Sequence, residues 1–154
     1  MRRLLSAVAL FAMAGTLLAA DAFEGTWKLN STKSKVTQGA APKEETIVIA
    51  RQGEDYLIKI TGTDPSGAPF SIRYSAPTNG GEGKILEGPY DSISTKRIDP
   101  YTRENRYTKD GKEVRFSRGA AGKDGKSLMV TVKGTDAAGK PFAGTLAFDR
   151  QPGS

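Results

Sequence analysis

The 154-residue chain contains neither histidine nor cysteine. That removes the commonest general base, the thiol nucleophile and the usual transition-metal ligands at once. No serine has a lysine three positions on, and no Gly-x-Ser-x-Gly elbow is present. Paired carboxylates could still do acid–base work, and Glu44-Glu45 and Glu54-Asp55 are adjacent. Neighbours on a strand point to opposite faces, however, so both pairs read as solvated acids. Asn79-Gly80-Gly81-Glu82-Gly83 is followed by no lysine-serine pair and no helix, so it lacks the amides of a phosphate loop and reads as a flexible turn. The expectation is a protein that binds without catalysing, with no metal and no cofactor.

Residues suited to binding cluster at 102–109, Thr102-Arg103-Glu104-Asn105-Arg106-Tyr107-Thr108-Lys109, a stretch with no aliphatic residue. Whichever face of such a strand turns inward brings an arginine with it. A two-residue turn at Asp110-Gly111 would pair Tyr107 with Val114, Asn105 with Phe116 and Arg103 with Arg118, drawing these side chains to one face. A three-residue turn would send Arg106 and Glu104 inward instead. The first register buries Tyr107 and gives Arg103, Asn105, Tyr107, Phe116 and Arg118 as candidate ligand contacts. The facing wall, which supplies Tyr74 as a further candidate, is apolar: Tyr56, Ile58, Ile60, Phe70, Ile72, Leu128, Val130, Val132, Phe142, Leu146 and Phe148.

The elements that must position these groups are strands. No stretch after Ala22 sustains a helical period, while short alternating runs rich in Ile, Val, Thr, Tyr and Phe recur between turn clusters. Strands are expected near 24–30, 45–51, 55–62, 69–75, 84–87, 91–98, 102–109, 112–118, 127–134 and 142–150. Gly62-Thr63-Asp64-Pro65-Ser66-Gly67-Ala68-Pro69-Phe70 is matched 72 residues later by Gly134-Thr135-Asp136-Ala137-Ala138-Gly139-Lys140-Pro141-Phe142, which reads as two hairpins of one design. Consecutive short hairpins make a meander, and one this long exposes two edges unless it closes on itself. The fold class is therefore all-β, an antiparallel up-and-down barrel of about 8–10 strands.

The first of these strands, Phe23-Glu24-Gly25-Thr26-Trp27-Lys28-Leu29-Asn30, carries a Gly-x-Trp motif that resembles the opening of lipocalins and fatty-acid-binding proteins, the calycin group. The last, Leu146-Ala147-Phe148-Asp149-Arg150, is similar to their final strand. The resemblance implies that Gly25, Trp27 and Arg150 close one barrel end, with Arg150 packed across the indole, and that a small molecule is held inside. Fatty-acid-binding proteins place two lid helices after the first strand. Residues 31–44 here carry Gly39, Pro42 and no apolar stripe, so a loop is expected.

Ahead of the barrel, Arg2 and Arg3 precede an apolar run from Leu4 to Leu18 and the small residues Ala19, Ala20 and Ala22. A spanning helix needs roughly 20 apolar residues, so 1–22 reads as a cleavable export signal cut after Ala22, or after Ala20. The expected organisation is a signal at 1–22, a barrel domain at 23–150 and a tail at 151–154, released as a monomer into the periplasm or outside the cell. Removing Arg2, Arg3 and Asp21 leaves 21 basic and 16 acidic residues, and the stretch 96–126 carries the whole excess. That band suits an anionic partner, either the head group of an amphiphile in the barrel or an anionic surface. Nucleic acid is not expected, since no aromatic residues are spaced along the band as a stacking platform.

Overall fold

The computed structural model describes residues 21–153; the export signal therefore lies outside the described residues except for Asp21 and Ala22. Every regular element among them is a strand. In chain order these are β1 (Gly25–Gln38), β2 (Glu44–Gln52), β3 (Asp55–Thr63), β4 (Pro69–Pro77), β5 (Gly80–Glu82), β6 (Lys84–Glu87), β7 (Ser92–Asp99), β8 (Thr102–Lys109), β9 (Lys112–Ala121), β10 (Ser127–Thr135) and β11 (Pro141–Arg150). All pairings are antiparallel, in the order β5-β7-β8-β9-β10-β11-β1-β2-β3-β4-β6. The architecture is a nearly closed, all-antiparallel β-barrel.

Two expectations are corrected. Residues 31–38 are not loop, because β1 runs on to Gln38 and pairs with β11 through Lys35↔Thr145 and Val36↔Gly144 after a bulge that follows Asn30. A bulge lets a long strand bend with the barrel wall, so the first strand needs no apolar stripe to stay in the sheet. The glycine-rich stretch at 79–83 is not a free turn either. Its residues Gly80, Gly81 and Glu82 pair with β7, and Lys84, Ile85 and Glu87 pair with β4. One segment thus joins the two ends of the sheet by changing partner at Gly83, whose amide donates to the Ile93 carbonyl at 2.8 Å.

The close approach of strands at that crossing explains the glycine. A Cβ on Gly83 would stand 2.4 Å from the Ser75 carbonyl oxygen and 2.9 Å from Cγ2 of Ile93. The repeated segments show the same device. A Cβ on Gly62 would meet the Glu44 carbonyl oxygen at 2.1 Å, and one on Gly134 would meet that of Val114 at 2.2 Å. In the turns that follow, Asp64 accepts from the amides of Ser66 and Ala68, and Asp136 from those of Ala138 and Lys140, all at 2.9 Å. Both aspartates are spent on their own loops.

The inward faces form one core, built on Trp27, Ile93, Val132 and Phe148, the largest fully buried side chains, with the apolar wall expected from the sequence packed around them. At one end Arg150 lies 4.3 Å above the Trp27 ring and donates to the carbonyls of Gly125 (2.5 Å), Glu24 (2.5 Å) and Ala22 (3.2 Å). The indole NH donates to the Phe23 carbonyl at 2.9 Å. A guanidinium can satisfy three carbonyls at once because its donors are fixed in a planar fork, and this one ties both the approach to β1 and the β9–β10 turn to the last strand. Gly83→Ala is expected to cost on the order of 2 kcal/mol, as overpacking of a tight site does. Urea denaturation read by tryptophan fluorescence measures it, and an unchanged midpoint would show that the crossing has room to spare.

Candidate functional site

Which charged residues enter the barrel is decided by one extra residue in β9. The β8–β9 turn is two residues long, Lys109↔Lys112, followed by Thr108↔Glu113, but the next pair is Tyr107↔Arg115 and Val114 is left over as a bulge. Because side chains alternate with period two, that single insertion exchanges the faces of β9 beyond it. Arg103, Asn105 and Tyr107 face the lumen, and their neighbours across the ladder are Gly119, Ser117 and Arg115. Phe116 and Arg118 are on the outside, which corrects the expected register. Arg118 approaches Glu104 at 3.9 Å, while Phe116 lies under Arg106, whose guanidinium binds Glu113 at 2.7 Å.

The lumen consists of two chambers. The inner one, about 80 Å³, has Ile47, Ile49, Ile58, Ile60, Leu128 and Val130 on one side and Arg103, Asn105, Tyr107 and Ser117 on the other. Arg103 is 7% exposed, and its donors reach the carbonyls of Thr78 (2.5 Å) and Pro77 (2.9 Å) and the Thr95 hydroxyl (3.3 Å). Those carbonyls sit where the chain leaves β4 for β5, so the side chain also pins the barrel's seam. Its cation lies 5.0 Å from the centre of the Tyr56 ring. Burial lowers the Arg103 pKa; Tyr56 and Tyr74 act against that shift, as does, more weakly, the Asp21 carboxylate, which accepts from the Tyr56 hydroxyl. Asn105 donates to Ser117 at 3.3 Å, and the Tyr107 hydroxyl donates to that of Tyr74 at 3.3 Å with the rings edge to face.

The outer chamber, about 40 Å³, opens between the two repeated loops and shares Glu45, Ile60, Tyr107 and Arg115 with the inner one. Glu45 is 6% exposed and Tyr90 is 5% exposed, so the reading of Glu45 as a solvated acid is corrected. The parity of β2 carried the signal: Glu45 is two and four residues from Ile47 and Ile49, which line the same chamber wall. Tyr90 precedes β7 in a connection with no periodicity, and Arg115 is turned inward by the bulge; neither had a readable signal. Among the described residues Glu45 forms no hydrogen bond or ion pair. The buried Tyr90 hydroxyl has no well-formed hydrogen bond and faces the Arg115 guanidinium, which lies 5.9 Å from the Tyr107 ring centre, bonds the Thr135 carbonyl at 3.4 Å and is, among the described residues, the one cation acting on both Tyr90 and Glu45.

Lobster apocrustacyanin A1, a lipocalin, is a solved structure to which the chain is similar: identity is 12% and the TM-score 0.47 over 86% of this chain. The chain spans 63% of the length of that protein. No protein-family model matches the sequence, and no curated protein matches it.

Burial pushes the Glu45 carboxyl from 4.5 up to about 7, partly opposed by Arg115. The folded protein therefore holds this proton more tightly than the unfolded chain does. Stability from Glu45 is complete below pH 4.5 and is lost as pH rises through 7. Glu45→Gln is expected to flatten that loss, gaining on the order of 2 kcal/mol over the wild type between pH 5 and pH 8. Denaturant titrations across that range test it; parallel wild-type and variant curves would place the carboxylate in water.

Proposed function

We propose that the chain is an exported binding protein that holds a compact amphiphile with an anionic head inside the barrel. The observation that carries this reading is the two-sided lumen, in which an aliphatic wall faces a wall bearing Arg103, Asn105, Tyr107 and Ser117. An apolar body is favoured against the first by the area it removes from water, and an anion is favoured against the second by a cation held in a low-dielectric site. The free space limits the size of the guest. A cavity that takes benzene has about 150 Å³, so a ligand of more than a few heavy atoms enters only if side chains such as Tyr74 and Tyr107 turn aside.

Export sharpens the electrostatics. Asp21 is the carboxylate acting on Arg103. A cut after Ala22 removes Asp21, and the guanidinium then faces carbonyl and hydroxyl oxygens that bond it without cancelling its charge. The intact mass of protein recovered from the extracytoplasmic fraction is expected to begin at Phe23; a mass that includes residues 1–20 would overturn export by cleavage.

A second reading follows from the outward lysines of the 96–126 band, Lys96, Lys109, Lys112, Lys123 and Lys126, all exposed: a nearly solid barrel that docks on an anionic surface. The two are separated by titrating hexanoate into protein with labelled isoleucine and valine methyls. Saturable shifts at Ile58, Ile60 and Val130, little changed between 50 and 300 mM salt and weakened about tenfold in Arg103→Gln, are expected. The Arg103→Lys variant, which keeps the charge, is expected to retain part of the affinity. No methyl shifts, together with heparin binding that collapses over the same salt range, would replace the first reading by the second.

A further inference from the structure

The outer chamber is unlike the inner one. Its polar groups, buried Glu45 and Tyr90 and half-buried Arg115, face one another across the chamber without a short hydrogen bond between them, and they are of opposite character. Glu45 offers a carboxylate that no donor reaches, Tyr90 a hydroxyl with no partner, and Arg115 a guanidinium whose bond to Thr135 is long. Polar groups left short of good hydrogen bonds in a low-dielectric site favour a guest that supplies them. The apolar lining of the chamber (Phe70, Ile72, Phe142 and Leu146 among it) supplies none of the missing bonds.

Net charge is what this arrangement discriminates against. Above pH 7, where Glu45 is ionised, a carboxylate placed there would be drawn to Arg115 and repelled by Glu45, and an ammonium would meet the reverse. A group that both donates and accepts, and carries no charge, satisfies all three: it donates to Glu45 and accepts, through two lone pairs, from Tyr90 and Arg115. We infer that the mouth formed by Glu45, Tyr90 and Arg115 is a second polar subsite, which takes a neutral hydroxyl or carboxamide group of the ligand. The inference rests on the reading that the lumen is occupied, and it narrows the guest to a molecule with two polar ends: an anionic head toward Arg103 and a neutral hydrogen-bonding group toward the mouth.

The spacing is set by β8. Arg103 and Tyr107 both face inward, four residues apart, and Tyr107 is level with Arg115, so about 13 Å of strand separates the two subsites before their side chains reach toward each other. Tyr107, which walls both chambers, stands between them.

Four six-carbon probes test this by calorimetry on the whole exported chain: hexanoate, 6-hydroxyhexanoate, 6-aminohexanoate and adipate. The hydroxy acid is expected to bind about tenfold more tightly than hexanoate, with the amino acid and the diacid no tighter than hexanoate. In Tyr90→Phe, which keeps the ring and removes only the hydroxyl, the preference for the hydroxy acid should fall to within about twofold while hexanoate binding is unchanged. Hexanoate binding as well as 6-hydroxyhexanoate would overturn the subsite and leave the lumen reading standing. A preference for the amine or the diacid would overturn the neutral-group assignment. Binding of none of the four would remove the occupied lumen, and the subsite with it.

Discussion

A sheet that ends must leave a row of amides and carbonyls without partners, and the cost of that edge is the constraint from which most of this structure follows. Here β4 and β7 do not pair directly with each other. The segment 80–87 serves both in turn: its first half completes the ladder of β7, its second half that of β4. The exchange takes place at Gly83, where no side chain could be accommodated. Where β4 gives way to this segment, the carbonyls of Pro77 and Thr78 turn inward, and Arg103 answers them from across the barrel. The buried cation and the closure of the sheet are therefore one problem solved together.

This coupling gives the lumen its character. A guanidinium bonded to carbonyl oxygens is satisfied in hydrogen bonding but keeps its charge, unlike one paired with a carboxylate. Arg106 shows the other outcome: lying on the outer face, it is matched by Glu113 in an exposed pair of little energetic weight. The basic stretch that looked like one surface band is thus divided by strand parity. Arg103 and Arg115 belong to the interior, while Arg106 and Arg118 belong to the surface with acidic neighbours.

The architecture was legible in the sequence because alternation is a strong signal when one face of every strand is buried, as Tyr56-Ile58-Ile60 and Leu128-Val130-Val132 show. Turn chemistry placed the hairpins for the same local reasons. What could not be read were departures of one residue. The bulge at Val114 has no distinguishing composition, yet it replaced Phe116 and Arg118 with Ser117 and Arg115 inside the barrel. Gly80 to Gly83 carry the composition of a turn and act as a strand, because pairing on both sides supplies what their propensity lacks. Alternation separates Glu45 from Glu44 without saying which of the two is inward; spacing from Ile47 and Ile49 puts Glu45 on the inward face, where it is buried.

The pairing of β1 with β11 has a consequence for how the molecule is made. Trp27 finds Arg150 only across nearly the whole length of the chain, and Lys28, Leu29 and Asn30 likewise wait for Asp149, Phe148 and Ala147. A ribosome, or any channel that delivers the N-terminus first, therefore releases the opening strand long before its partner exists. Hairpins such as β2–β3 and β10–β11 can form as they emerge, but the ring cannot be joined until β11 arrives. Contacts of such high sequence separation make folding slow and late. The β1–β11 seam consequently stays open until the β11 residues that pair with Trp27 to Asn30 have been delivered.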